Sequence, residues 1–137
     1  MVEITISYEG GLRCCAVHGP SGANIQTDAP VDNHGQGAAF SPTDLAATSL
    51  GVCMMTVMGI AAKSREIELT GTRLIVKKHM SQDAPRRIAA VDVDLFLPIS
   101  SSHPQRELLE KIGRECPVAL SLHPAIEQRI TFHWRAE

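Results

Sequence analysis

The sequence predicts an α+β domain with the element order βββ-α-ββ-α-α-β. Three observations predict it. Apolar and polar residues alternate in several short stretches, which is the period of a strand. One 18-residue run, Leu45 to Ala62, carries no charge and follows a strong helix-start signal. At 137 residues, 44% of them hydrophobic, the chain can bury a core without disulfide staples or a structural metal, so one domain over residues 1–137 is expected.

The elements follow in order. Val2 to Tyr8 alternates Val2, Ile4, Ile6 and Tyr8 with Glu3, Thr5 and Ser7, the pattern of a half-buried strand. Gly10-Gly11 marks a turn, and Leu12 to Val17 reads as the hairpin partner. After the turn Gly19-Pro20-Ser21-Gly22, Asn24 to Asp28 is a short third strand. Ala29 to Ala39 reads as a loop. Ser41-Pro42-Thr43-Asp44 then starts a helix: Ser41 as cap, Pro42 at the first helical position, Asp44 bonding back as the capping acid. Lys63 and Arg65 close it at its negative end. Leu69 to Met80 and Ile88 to Leu97 are two long strands joined by a hairpin loop at Ser81 to Pro85, and Pro98 is expected to end the second. Ser102 or His103 can cap a helix from Pro104 to about Glu115, with Leu108, Leu109 and Ile112 on one face. Cys116-Pro117 breaks it, Val118 to Leu122 is a further short helix, and Gln128 to Trp134 is a last strand.

Charge and composition narrow the function. The formal net charge is -2, too small to create a field that would draw nucleic acid or an anionic membrane, so neither is expected as a partner. MVEITISYEG has no basic n-region and no apolar h-region, so a cytoplasmic protein is expected. The uncharged run is long enough to weigh as a membrane span. Its Thr48, Ser49, Gly51, Thr56 and Gly59, set among amphipathic strands, favour instead a buried helix, apolar on all sides.

Four cysteines, Cys14, Cys15, Cys53 and Cys116, are too few for a secreted disulfide scaffold and read as buried hydrophobes or reactive thiols. Cys14 and Cys15 are adjacent in a strand, so they point to opposite faces and read as structural. Cys53 lies midway along the apolar helix beside Ser49, Leu50, Thr56 and Val57 at helical spacing. It is either a small core residue or a thiol with space left for an approaching group. Cys116 stands before Pro117, which favours a helix N1 position and puts Cys116 at the N-cap. There the dipole favours thiolate, so Cys116 is either a reactive thiol of depressed pKa or an ordinary cysteine at a helix break. None of the histidines His18, His34, His79, His103, His123 and His133 has metal-site spacing, and no phosphate loop or nucleophile elbow is present. His123 can end the short helix or reach back to Cys116. Lys77-Lys78-His79 and Arg86-Arg87 read as a solvated hairpin tip.

Phe40-Ser41-Pro42-Thr43-Asp44-Leu45 with Leu50-Gly51-Val52-Cys53, and later Cys116-Pro117-Val118 with Leu120 and Leu122, resemble the two cysteine motifs of the OsmC/Ohr family. That family comprises osmotically inducible protein C and organic hydroperoxide resistance proteins. The resemblance implies an intertwined homodimer with long helices buried against curved antiparallel sheets. It implies Cys53 as the peroxidatic thiol, Cys116 as the resolving one, organic hydroperoxides as substrates, and a dithiol or lipoyl-protein as reductant. It calls for no metal, flavin or other cofactor. The family's peroxidases also pair the reactive cysteine with an arginine and a glutamate. Arg13 is the only arginine before the long helix, so it is the candidate. The glutamate position holds Thr43. Asp44 lies nine residues before Cys53, and about 100° per residue turns it to the opposite face. The chain therefore looks closer to branches that keep the cysteines without all their partners. A small-apolar-ligand binder, or a redox sensor without efficient turnover, is the alternative.

Overall fold

The computed structural model describes residues 1–136; Glu137, the last position of the expected domain range, lies outside them. Two compact units divide the chain at Ala46/Ala47. The first holds β1 (Ile4–Gly10), β2 (Arg13–His18) and β3 (Asn24–Asp28), an antiparallel sheet in the order β1-β2-β3. Ile4 pairs with His18 and Tyr8 with Cys14, and Ala16 then pairs with Ile25. Both hairpin strands start later than the alternation suggests. Gly10, Gly11 and Leu12 all have positive φ, so the turn takes Leu12 out of the strand. The half-buried expectation for β1 also fails: Ile4, Ile6 and Tyr8 are 57%, 65% and 67% exposed.

Helix α1 (Pro42–Lys63) begins as its sequence dictates. The Ser41 hydroxyl accepts from the Asp44 N–H at 3.1 Å, and an Asp44 carboxylate oxygen accepts from the Ser41 N–H at 2.9 Å. This reciprocal cap is worth about 0.5–2 kcal/mol. The helix is long and apolar enough to cross a membrane by length and composition. It is not buried on all sides. Ala47, Leu50, Gly51, Met54, Met58, Ala61 and Ala62 form the buried stripe, while Val52 and Ile60 on the far side are 60% and 67% exposed. A cylinder laid on one sheet covers one face only.

The second unit continues with β4 (Arg73–Met80), β5 (Ile88–Ser100), α2 (Arg106–Arg114), α3 (Pro117–Ser121) and β6 (Glu127–Arg135). Its sheet has the order β4-β5-β6: β4 and β5 form the antiparallel hairpin, and β6 returns parallel to β5 through the α2–α3 crossover. Central β5 supplies Val91, Val93, Leu95 and Leu97 to a core shared with Leu50, Met54 and Met58 of α1 and Leu109 of α2. Three boundaries depart from the pattern. β4 starts at Arg73 rather than Leu69, because the Thr72 N–H closes a turn on the Leu69 carbonyl and Gly71 has φ 95. β5 runs through Pro98, which lies past the last β4 partner, Phe96, and inside a register shift against β6, where no ladder N–H is required. α2 starts at Arg106 with no side-chain cap, since His103 instead accepts from the Gln105 N–H in the preceding turn.

Candidate active site

Two local features set Cys116 in place. The chain leaves α2 through Gly113, where a Cβ would stand 2.8 Å from the Met58 sulfur, so glycine lets the helix end close onto α1. Pro117 then opens α3 and leaves Cys116 at its N-cap with extended dihedrals (φ -66, ψ 155). The Cys116 sulfur accepts from the Ala119 N–H at 3.4 Å. The N-cap prediction thus holds in its geometry.

Its electrostatic corollary does not. Cys116 is 1% exposed, and burial pushes its thiol above the ordinary range. The Ala119 and Val118 N–H groups pull the other way, and contact with Cys53 raises it further. A five-residue helix offers a weak dipole, and desolvation of a thiolate outweighs two amides. Burial therefore favours the protonated form of Cys116.

Cys53, half-buried on α1, packs against the core that holds Cys116 and lies near enough to raise its thiol. Both are free thiols and are not at disulfide distance. The structure thus brings together two cysteines far apart in sequence, one partly accessible and one buried.

Arg13 belongs to the first unit. Its guanidinium donates to Gln36 Oε1 at 3.2 Å and sits 3.7 Å from a carboxylate oxygen of Asp28. Asp28 is 1% exposed; one oxygen accepts from the Ala38 N–H at 2.9 Å, and the other has no hydrogen-bond partner. Sequence reading placed no acid beside Arg13, yet a buried carboxylate stands there. Asp28 was legible only as a strand end. Thr43 and Asp44 stay at the α1 cap.

Cys14 and Cys15 occupy successive register positions in β2, on opposite faces. His123 does close a turn, accepting from the Ala125 N–H. His79 and His133 pair with Asp92 and Asp94 at 2.7 and 2.8 Å. Among the described residues no three His, Cys, Asp or Glu side chains gather to hold a metal.

Fold and site define a class: α+β proteins that set a cysteine of the long core helix against a second one at the α2–α3 junction. The chain belongs to the OsmC family: the profile of the OsmC-like protein family matches residues 35–131. A crystal structure from Psychrobacter arcticus 273-4, provisionally assigned as an osmotic stress induced and detoxification response protein, is 43% identical. The match covers 97% of this chain and 96% of that one, with a TM-score of 0.91. Two organic hydroperoxide resistance proteins share the fold at low identity. The one from Elizabethkingia anophelis is 18% identical, over 98% of this chain and 96% of that one, with a TM-score of 0.77. The one from Legionella pneumophila is 13% identical, over 97% and 96%, with a TM-score of 0.74. No curated protein matches at a significant level.

Proposed function

We propose that this chain is a thiol-dependent peroxidase that reduces organic hydroperoxides through Cys53 and Cys116. The nearness of the two free thiols on one core carries the reading. Cys53, the less buried, attacks the terminal peroxide oxygen as thiolate. The O–O bond breaks, an alcohol leaves after taking up a proton, and Cys53 becomes a sulfenic acid. Cys116 then attacks that sulfur, forms the disulfide and expels water. A dithiol, free or lipoyl-linked, reduces the disulfide and returns both thiols. Arg13 is proposed as the arginine of the site on the family pattern alone, and no cofactor takes part. Family membership and the names of the hydroperoxide resistance relatives support the substrate class.

One equivalent of cumene hydroperoxide added to reduced protein is expected to remove two thiols and join the Cys53 and Cys116 peptides. Loss of other thiols, or none, overturns the reading.

The proposal includes a cytoplasmic homodimer. Ile4, Ile6, Tyr8 and Ile25 stand exposed on one sheet face, and Val52 and Ile60 on α1. Apolar surface of that extent marks a protein interface. Sedimentation is expected to give twice the 14.8 kDa chain mass; a monomer at micromolar concentration contradicts it.

An apolar hollow of about 350 Å³ between α1 and β4, lined by Thr48, Gly51, Val52, Met55, Thr56, Leu74 and Val76, favours a second reading as a binder of small apolar ligands. Under it, Cys53→Ala binds ligand as well as the wild type, and peroxide leaves the thiols intact.

A further inference from the structure

Strand β6 turns Gln128, Ile130, Phe132 and Trp134 to one side, all half-buried, and its other residues to solvent. Ile130, Phe132 and Trp134 pack against the core. Gln128 is the polar member of that row. An amide on such a face is unfavourable unless it is hydrogen-bonded. Its Nε2 donates to the Ala119 carbonyl at 3.0 Å.

That carbonyl needs a partner from elsewhere. A helix leaves its last four carbonyls without intrahelical donors, and α3 has only five residues. The Pro117 carbonyl accepts from the Ser121 hydroxyl at 2.7 Å, and the Val118 carbonyl from the Leu122 N–H at 3.0 Å. The Ala119 carbonyl is met by Gln128. On its amino side, Ala119 donates to the Cys116 sulfur. One residue of α3 is therefore gripped from both sides, by the buried thiol and by a side chain from the sheet.

We propose that Gln128 is a positioning residue for the thiol pair: through Ala119 it fixes the first turn of α3 and so keeps the Cys116 sulfur against Cys53. The proposal rests on the peroxidase reading and adds a requirement to its second step. Once Cys53 is a sulfenic acid, two reactions compete for it. Cys116 attacks the sulfur, an S–S bond forms, the S–O bond breaks and water leaves. Alternatively, a second hydroperoxide transfers its terminal oxygen to the sulfenic sulfur, giving sulfinic acid and an alcohol. The first needs Cys116 in place; the second does not. Apolar packing alone would accept leucine at this position, whereas the α3 carbonyl needs a donor.

The test uses full-length Gln128→Leu and Gln128→Glu, the second keeping the shape without the donor. Reduced protein is titrated with cumene hydroperoxide. Mass spectrometry then measures the ratio of Cys53 sulfinic acid to Cys53–Cys116 disulfide, and single-turnover peroxide loss measures the first step. Both variants are expected to raise the ratio about tenfold, the order of one lost hydrogen bond, with the first step unchanged. Should the leucine variant not fold, the glutamate variant carries the same readout. A folded variant with an unchanged ratio, or with both steps slowed equally, overturns the proposal while the peroxidase reading stands. Wild-type protein that yields neither product overturns both.

Discussion

Cys53→Ser is expected to abolish organic hydroperoxide turnover with a dithiol donor, by roughly a thousandfold or more, the scale on which loss of a nucleophile acts. A thiol ionises near pH 8.5, so a useful fraction is thiolate at neutral pH, and positive surroundings enlarge it. A serine hydroxyl ionises far above that range and is a poor nucleophile towards peroxide oxygen. The exchange removes one polarisable atom from a half-buried helix position and should leave the fold intact. Cys116 is not expected to take over the role, because it is 1% exposed and burial raises its thiol pKa. The rate of hydroperoxide consumption, with circular dichroism to confirm folding, decides the matter. A serine variant that retains full turnover removes Cys53 from the chemistry.

Gly51→Val is expected to cost about 2–3 kcal/mol and to lower Tm by about 10 °C. A helix interior normally gains about 1 kcal/mol when glycine is replaced by alanine, so an isolated helix would predict the opposite sign for adding a Cβ. Here a Cβ at 51 would lie 2.8 Å from a Val76 methyl, with Leu74 at 3.6 Å and Val93 at 4.0 Å. Val76 is β-branched and held in the sheet, so it has little freedom to yield. Two further methyls would enter the same space. Urea and thermal unfolding measure the effect, and an unchanged midpoint would mean that α1 does not sit on β4 as closely as the geometry gives.

Some elements were readable in advance because their causes are local. Ser41, Pro42 and Asp44 interact within one turn, and the α1 start followed from four residues. Alternation in Ile88 to Leu97 was visible for the same reason, since side-chain period needs no partner strand. Elements failed where the cause lay elsewhere in the chain. Pro98 reads as a stop, yet β5 passes through it because β4 has already ended at that level. Ile4, Ile6 and Tyr8 read as half-buried, but alternation says only that a face is apolar, not what covers it. Gln128 read as an ordinary first residue of the last strand; its role needs the α3 carbonyl that lies nine residues before it and is met only in the fold.

The site divides along the same line. By itself the sequence determined which atoms can do redox chemistry, where helices begin around them, and that Cys116 would stand at an N-cap, because residue chemistry and capping operate over a few bonds. Only the tertiary structure decided that Cys53 and Cys116 are neighbours, that burial outweighs the helix end at the Cys116 thiol, and that Arg13 answers to Asp28. Those outcomes depend on desolvation and on distances between segments remote in the chain, and neither quantity is written in the order of residues along it.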